Sequence, residues 1–280
     1  MKRLYNELLS KHTTFKIGGP VLLLSIPENE GELIQEIKRC KKEGLNYKIL
    51  GCGSNVLICD KGINGVVIKN TEACSYINKE DNNIVEVGSS IYIQNFVRFC
   101  IEHDLEGMEY LYSIPATIGG AIYMNAGTGK KTNLSISDNL VSVKIFDGVK
   151  IKEIKKEECK FNYRYSIFHK NKDWIILGAT FKLREQPKEI GEKKIKERMD
   201  FVKKHQNRKH PNAGSIFKKI SPVSKKLLSG IKIGNARMKG NWISNIGGAS
   251  FRDVMTIIKI AKIISYLSLK KPELEIEIWK

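Results

Sequence analysis

The chain has 280 residues, enough for more than one hydrophobic core, and 41% of them are hydrophobic, which excludes a disordered polyelectrolyte. Its 48 Lys and Arg exceed its 30 Asp and Glu, a net charge of +18. The lysines are scattered along the whole sequence, which favours compositional drift plus one anionic pocket over a nucleic-acid-binding block or tail.

In chain order, Thr13 to Pro20 reads as a turn before a short buried strand over 21–26, which Pro27 stops. Residues 29–43 read as a helix with Leu33, Ile34, Ile37 and Cys40 on one face and Gly44 as its stop. A strand over 47–50 runs into the glycine loop Gly51-Cys52-Gly53-Ser54-Asn55-Val56-Leu57. Strand followed by G-x-G is a dinucleotide-type pattern, but Val56 stands at the third glycine position. No crossover helix of ~10 residues fits before Gly62, so a phosphate loop between strands is expected, with an ordinary glycine turn as the alternative.

Strands are expected over 65–70 and 84–87, and a helix over 91–103. The stretch 113–127 is glycine-rich and charge-poor: Gly119 and Gly120 remove two Cβ atoms, Pro115 fixes φ, and Asn125 and Gly127 suit a second turn. Backbone amides there suit a pyrophosphate; a buried double-glycine turn is the other reading. Strands over 140–146 and 150–154 flank an Asp147-Gly148 hairpin turn, and a strand over 174–183 follows. A domain boundary is expected near 185, at Glu185-Gln186-Pro187. A basic helix follows, then a polar turn over 210–219. Ser250 and Asp253 form a helix-capping pattern, and residues 273–279 alternate Glu with apolar side chains as one half-buried strand.

The cysteines Cys40, Cys52, Cys59, Cys74, Cys100 and Cys159 contain no C-x-x-C pair, so free thiols in a reducing compartment and no metal site are expected. No apolar run suits a signal peptide or a bilayer span, so the expectation is a soluble, cytoplasmic protein without membrane or nucleic-acid partners.

Thr14-Phe-Lys-Ile-Gly-Gly19, the two glycine loops, Tyr163-Arg-Tyr-Ser-Ile-Phe168, Pro211-Asn-Ala-Gly-Ser-Ile-Phe-Lys218 and Leu274-Glu-Ile276 stand in this order along nearly the whole chain. In that order they resemble the UDP-N-acetylenolpyruvoylglucosamine reductase family, in its type II form, which lacks a tyrosine-bearing insertion. The resemblance implies an α+β fold: a two-subdomain FAD-binding module of the PCMH or vanillyl-alcohol-oxidase type over 1–185, with subdomains of about 1–70 and 71–185. A substrate-binding α+β domain over 186–280 completes it.

The resemblance also implies non-covalent FAD, since neither loop holds a histidine. It gives FAD to Gly51, Cys52, Gly53, Ser54, Asn55, Val56 and Leu57 in the first loop. In the second it gives Ile114, Pro115, Ala116, Thr117, Gly119, Gly120, Asn125, Ala126 and Gly127. NADPH reduces the flavin, and a UDP-sugar enolpyruvyl substrate then takes hydride at its β-carbon. Arg164 stabilises the enolate charge, Glu275 pairs with Arg164 or shares a proton with the substrate carboxylate, and Ser215 protonates the α-carbon. A monomer is favoured.

From the residues alone other readings stay open. Ser215 can be a turn serine, Arg164 a surface ion pair, and Glu273, Glu275 and Glu277 share one strand face, among which only the family motif chooses. Another flavin oxidoreductase and a basic nucleic-acid-binding protein are the rival functions. The chain departs from the family pattern at Ser113 and Ala116, where glycine is usual, at Thr128-Gly-Lys-Lys131, and at Lys219, Lys239 and Glu277.

Overall fold

The computed structural model describes residues 1–129, 132–206 and 209–280; Lys130 and Lys131 of the departing stretch after the second loop lie outside them. Strand β1 (Lys2–Leu8) precedes β2 (Pro20–Ile26). Helix α1 (Glu30–Lys42) begins where the Asn29 side chain accepts the Glu32 N–H, and Gly44 follows its end at φ +64°. Strands β3 (Tyr47–Leu50), β4 (Val56–Ile58) and β5 (Ile63–Lys69) follow with no helix between them. That matches the reading of the first glycine loop as lying between strands.

Next come β6 (Ile77–Lys79), β7 (Ile84–Gly88), α2 (Ile93–Glu102) and β8 (Leu105–Glu106). The second glycine stretch is not all loop, as its composition suggested: it holds α3 (Ile118–Met124). Thr117 caps that helix by accepting the Gly120 N–H, and Gly119 lies where a side chain would crowd Ser89. Strands β9 (Leu140–Phe146), β10 (Ile151–Lys155), β11 (Ile175–Lys182) and β12 (Arg184–Glu185) lead to α4 (Lys188–His205).

The remainder is β13 (Asn212–Ser215), β14 (Phe217–Lys219), α5 (Pro222–Leu227), β15 (Lys232–Ile233), β16 (Ala236–Lys239), β17 (Trp242–Asn245) and α6 (Phe251–Leu267). Ser250 and Asp253 cap α6 reciprocally, as their spacing predicts. The C-terminal segment is not one strand. It splits into β18 (Glu273–Leu274) and β19 (Glu277–Trp279), because β18 pairs with β14 and β19 pairs in parallel with β4.

By its contacts the chain forms two units: residues 1–3, 25–51 and 67–206, and residues 4–24, 52–66 and 207–280. This grouping differs from a single cut near 185. Ile195 of α4 is buried in the first unit's core, and Phe15, Ile17 and Leu57 are buried in the second's. The first unit holds the antiparallel sheet β10-β9-β11-β7-β6. Val87, Ala179 and Val143 are register partners there and face a core shared with Phe96, Ile118 and Ile122. The second holds the sheet β13-β17-β16-β15, packed with Val254, Ile257 and Ala261 of α6. All six cysteines are free thiols. Burial pushes the Cys74 thiol up to about 11 and the Cys159 thiol up to about 12, which leaves both unreactive.

Candidate active site

In the first unit the second glycine stretch is shaped by its neighbours. Gln94 donates to the carbonyls of Tyr112 and Ile114, the Ala116 N–H bonds the Ile114 carbonyl, and Ile93 N–H bonds the Ala116 carbonyl. These bonds turn the chain sharply around Pro115. Ser113, one of the departures noted in the sequence, is buried and accepts a bond from Arg198 Nε at 3.0 Å. Ala116 is also buried, so its extra methyl points into the protein.

The glycines here answer to different constraints. A Cβ on Gly127 would overlap the Leu134 carbonyl, and one on Gly119 would come within 3.0 Å of Ser89 Cβ. One on Gly51 would stand 2.8 Å from Thr117 Oγ1, so the first loop begins directly against the cap of α3. Gly120 differs: the nearest atom to its Cβ would be Thr117 Oγ1 at 3.5 Å, ordinary contact. The protein itself leaves room at Gly120. Asn125 ends α3 in the left-handed region at φ +44°, which asparagine tolerates. Its Nδ2 donates to the Asn162 carbonyl at 3.0 Å, while its buried Oδ1 has no hydrogen-bond partner among the described residues. A buried amide oxygen without a donor is rare and costly. Open space at Gly120 and an orphaned acceptor at Asn125 fit a bound group that brings its own surface and its own hydrogen-bond donor. Ala126 and Ile114 contribute to the core instead.

Arg164 lies beside this stretch. Its backbone is left-handed at φ +54°, unusual for an arginine, which marks a position held by its surroundings. Its guanidinium donates to the carbonyls of Asn125, Gly127 and Thr128 at 3.1, 2.6 and 3.2 Å. The carbon of the guanidinium lies 4.9 Å from the Tyr163 ring centroid. Fixed on the loop's own carbonyls, it is a preorganised positive charge.

The second unit holds Cys52 to Leu57, Ser215 and Glu275. Gly53 is left-handed and packs against the backbone of His12 and Thr13, and its carbonyl accepts the Thr14 N–H. The Thr-Phe-Lys-Ile-Gly-Gly motif is thus the support on which this loop rests. Val56 and Leu57 are buried strand residues paired with Glu277 and Ile278, so they anchor the loop's end. Ser54, Cys52 and Asn55 are half-buried.

Ser215 ends β13 after an irregularity in the pairing with β17, where Gly214 is left-handed and the Asn212 side chain accepts the Gly214 N–H. It is half-buried, and its hydroxyl has no hydrogen-bond partner among the described residues. The chain continues through Ile216 into β14 at Phe217. Asn241 pins both: its carbonyl accepts the Ile216 N–H, its Oδ1 accepts the Phe217 N–H, and its Nδ2 donates to the Phe217 carbonyl.

Glu275 occupies the break between β18 and β19. Its N–H bonds the carbonyl of Ile216, next to Ser215, at 2.9 Å. Its own carbonyl accepts Asn55 Nδ2 at 3.0 Å. Loop, serine strand and glutamate are therefore stitched together. Glu273 belongs to β18 instead: it pairs with Lys219 at 2.7 Å on the surface, and that bond pulls its pKa down. The expected row of three equivalent glutamates is broken by the change of strand partner at 275–276. Asn241, which holds the serine strand, stands in the motif stretch Gly240-Asn-Trp-Ile243 beside Lys239, but the sequence assigned it no role of its own.

Residues 21–149 match the family described as the FAD binding domain. The chain is 38% identical over 268 residues to the UDP-N-acetylenolpyruvoylglucosamine reductase of Bacillus pumilus, covering 92% of this chain and 87% of that one. It is 36% identical over 287 residues to the enzyme of the same name from Fervidobacterium nodosum, covering 98% and 91%. The crystal structure of the UDP-N-acetylenolpyruvylglucosamine reductase from Thermus caldophilus matches with a TM-score of 0.82 at 30% identity, over 100% of this chain and 98% of that one.

Proposed function

The chain belongs to the UDP-N-acetylenolpyruvoylglucosamine reductase family, and on that premise we propose which of its residues carry the reaction. It is an FAD-dependent oxidoreductase that uses NADPH to reduce UDP-N-acetylglucosamine enolpyruvate to UDP-N-acetylmuramate, a peptidoglycan precursor. FAD, when bound, supplies the hydride relay between NADPH and the enolpyruvyl double bond.

Gly51, Gly53, Ser54 and Asn55 of the first loop and Thr117, Gly120 and Asn125 of the second would hold the cofactor. Their neighbours Cys52, Val56, Leu57, Ile114, Pro115, Ala116, Gly119, Ala126 and Gly127 shape the two loops. Arg164 holds the negative charge that builds on the substrate carboxylate and α-carbon; a guanidinium stays protonated and can bind a carboxylate with two bonds. Glu275 orients that carboxylate or shares a proton with it. Ser215 gives its hydroxyl proton to the α-carbon. A hydroxyl is a weak acid in water, so the step depends on an enolate placed as its nearest acceptor.

The observation that carries these roles is the stitching of Asn55, Glu275 and the Ser215–Ile216 strand by direct hydrogen bonds. It supports one cluster made of a cofactor loop and both proton-handling residues. In domain terms the proposal assigns cofactor binding to residues 1–185 and substrate binding to 186–280. It also takes the enzyme as a cytoplasmic monomer; among the described residues no helix is long and apolar enough to cross a membrane.

The test is optical. The purified protein should be yellow, bleach with NADPH, and recover its colour when mixed anaerobically with the enolpyruvyl substrate. Bleaching without recovery would leave a flavin enzyme with a different acceptor. Light scattering on the eluting protein reads the oligomeric state.

A further inference from the structure

Asn70 follows β5 and is 5% exposed, in a part of the first unit to which none of the roles above extends. A buried carboxamide is tolerated only when its polar atoms are paired. Here they are paired in one direction only, toward the two glycine loops. Asn70 Nδ2 donates to Ser89 Oγ at 2.9 Å, and Asn70 Oδ1 accepts from Ser90 Oγ at 2.7 Å. Ser90 Oγ also accepts the Cys74 N–H at 2.9 Å, which closes the network inside the protein. Both serines are 1% exposed.

Ser89 is the surface on which the first turn of α3 rests. Its carbonyl accepts the Gly119 N–H at 2.9 Å, and its Cβ lies 3.0 Å from where a Gly119 side chain would begin. On the other side, the backbone N–H of Asn70 donates at 2.8 Å to the carbonyl of Leu50, the residue before Gly51. One residue thus holds the entry to the first loop with its backbone and the seat of the second with its side chain. Gly51 and Thr117 meet with no room for a methyl group between them, so the spacing at this point has no slack.

We propose that Asn70 is a positioning residue for FAD, fixing Gly51 against the Thr117–Gly120 turn through Leu50 on one side and Ser89 and Ser90 on the other. The inference rests on the cofactor reading of these loops given above. Sites that bind by shape and backbone donors lose affinity when their supports shift by fractions of an ångström.

The experiment compares holoenzyme variants. FAD affinity is read from the fluorescence of flavin released on dilution, the bound pyrophosphate from its phosphorus resonances, and folding from far-ultraviolet circular dichroism. Asn70→Ala should fold, weaken FAD binding about tenfold or more, and shift the phosphorus resonances. Ser90→Ala should weaken FAD binding in the same direction, and the double variant should be no weaker than Asn70→Ala alone, because both act through one contact. FAD affinity within twofold of wild type in a folded Asn70→Ala or Ser90→Ala protein overturns the inference, as does full additivity of the two. If Asn70→Ala does not fold, Ser90→Ala decides. A wild-type protein that binds no FAD would instead overturn the reading of the loops.

Discussion

Arg164 donates to three carbonyls of the neighbouring loop, while the Ser215 hydroxyl has no hydrogen-bond partner among the described residues. One unit immobilises a charge; the other leaves a hydroxyl free to turn. The proposed roles account for the difference. A stabilising charge works best when it is already in place and has nothing to reorganise. A hydroxyl that must give up its proton is better held by its backbone, here through Gly214 and Asn241, than through its own oxygen.

The largest expected effect removes the proposed cofactor from the loop beside Arg164. Gly120→Val should fold, since the protein leaves space there, yet be colourless and inactive. Full flavin occupancy in that variant would take Gly120 out of the site. Next comes Ser215→Ala. NADPH should still bleach it, but recovery with substrate should slow by ~100-fold to 10,000-fold, the usual loss for a positioned acid. Normal recovery would return Ser215 to a turn residue.

Arg164→Lys sharpens the contrast because it touches both functions. It should slow the substrate step by ~100-fold to 1,000-fold and, unlike Ser215→Ala, also change the flavin absorbance, since the loop loses its clamp. An unaltered spectrum would separate Arg164 from the loop's shape.

A smaller effect concerns stability of the first unit. Glu36 is almost fully buried, which by itself raises its pKa, but bonds from Arg39, Ser25 and Arg3 outweigh burial and hold it down at about 2. A depressed carboxylate pKa contributes stability above its unfolded value of ~4.3, and that contribution is lost as pH falls through about 2. Glu36→Gln should therefore destabilise the protein by ~1–3 kcal/mol at neutral pH, with the gap to wild type closing toward pH 2. Denaturant titrations at several pH values measure it, and a pH-independent gap would contradict the sign.

Smallest of all should be Glu273→Gln and Glu277→Gln, each within a few-fold of wild-type turnover; Glu273 makes a surface ion pair of the kind that contributes little. Run in parallel, Glu275→Gln should lose most substrate-dependent reoxidation while keeping NADPH-dependent bleaching. Equal rates for all three would remove this segment from the chemistry.

The sequence by itself determined the local order of the molecule. Periodicity and caps placed α1 from Asn29 to Gly44 and α6 from Ser250, and the glycine spacing ruled out a crossover helix after Gly51. The ordered motifs around Arg164, Ser215 and Glu275 also pointed to the family, because each is a short contiguous signature. What the sequence left undecided depends on partners far away along the chain. The break between β18 and β19 comes from two different pairing strands, and it alone separates Glu275 from Glu273. The packing of α4 with the first unit, the clamp on Arg164 and the bridge made by Asn70 likewise join residues many positions apart. Alternation and capping are near-neighbour effects written in consecutive residues; which carbonyl an arginine or an asparagine meets is decided only when the tertiary structure brings that carbonyl within 3 Å or so.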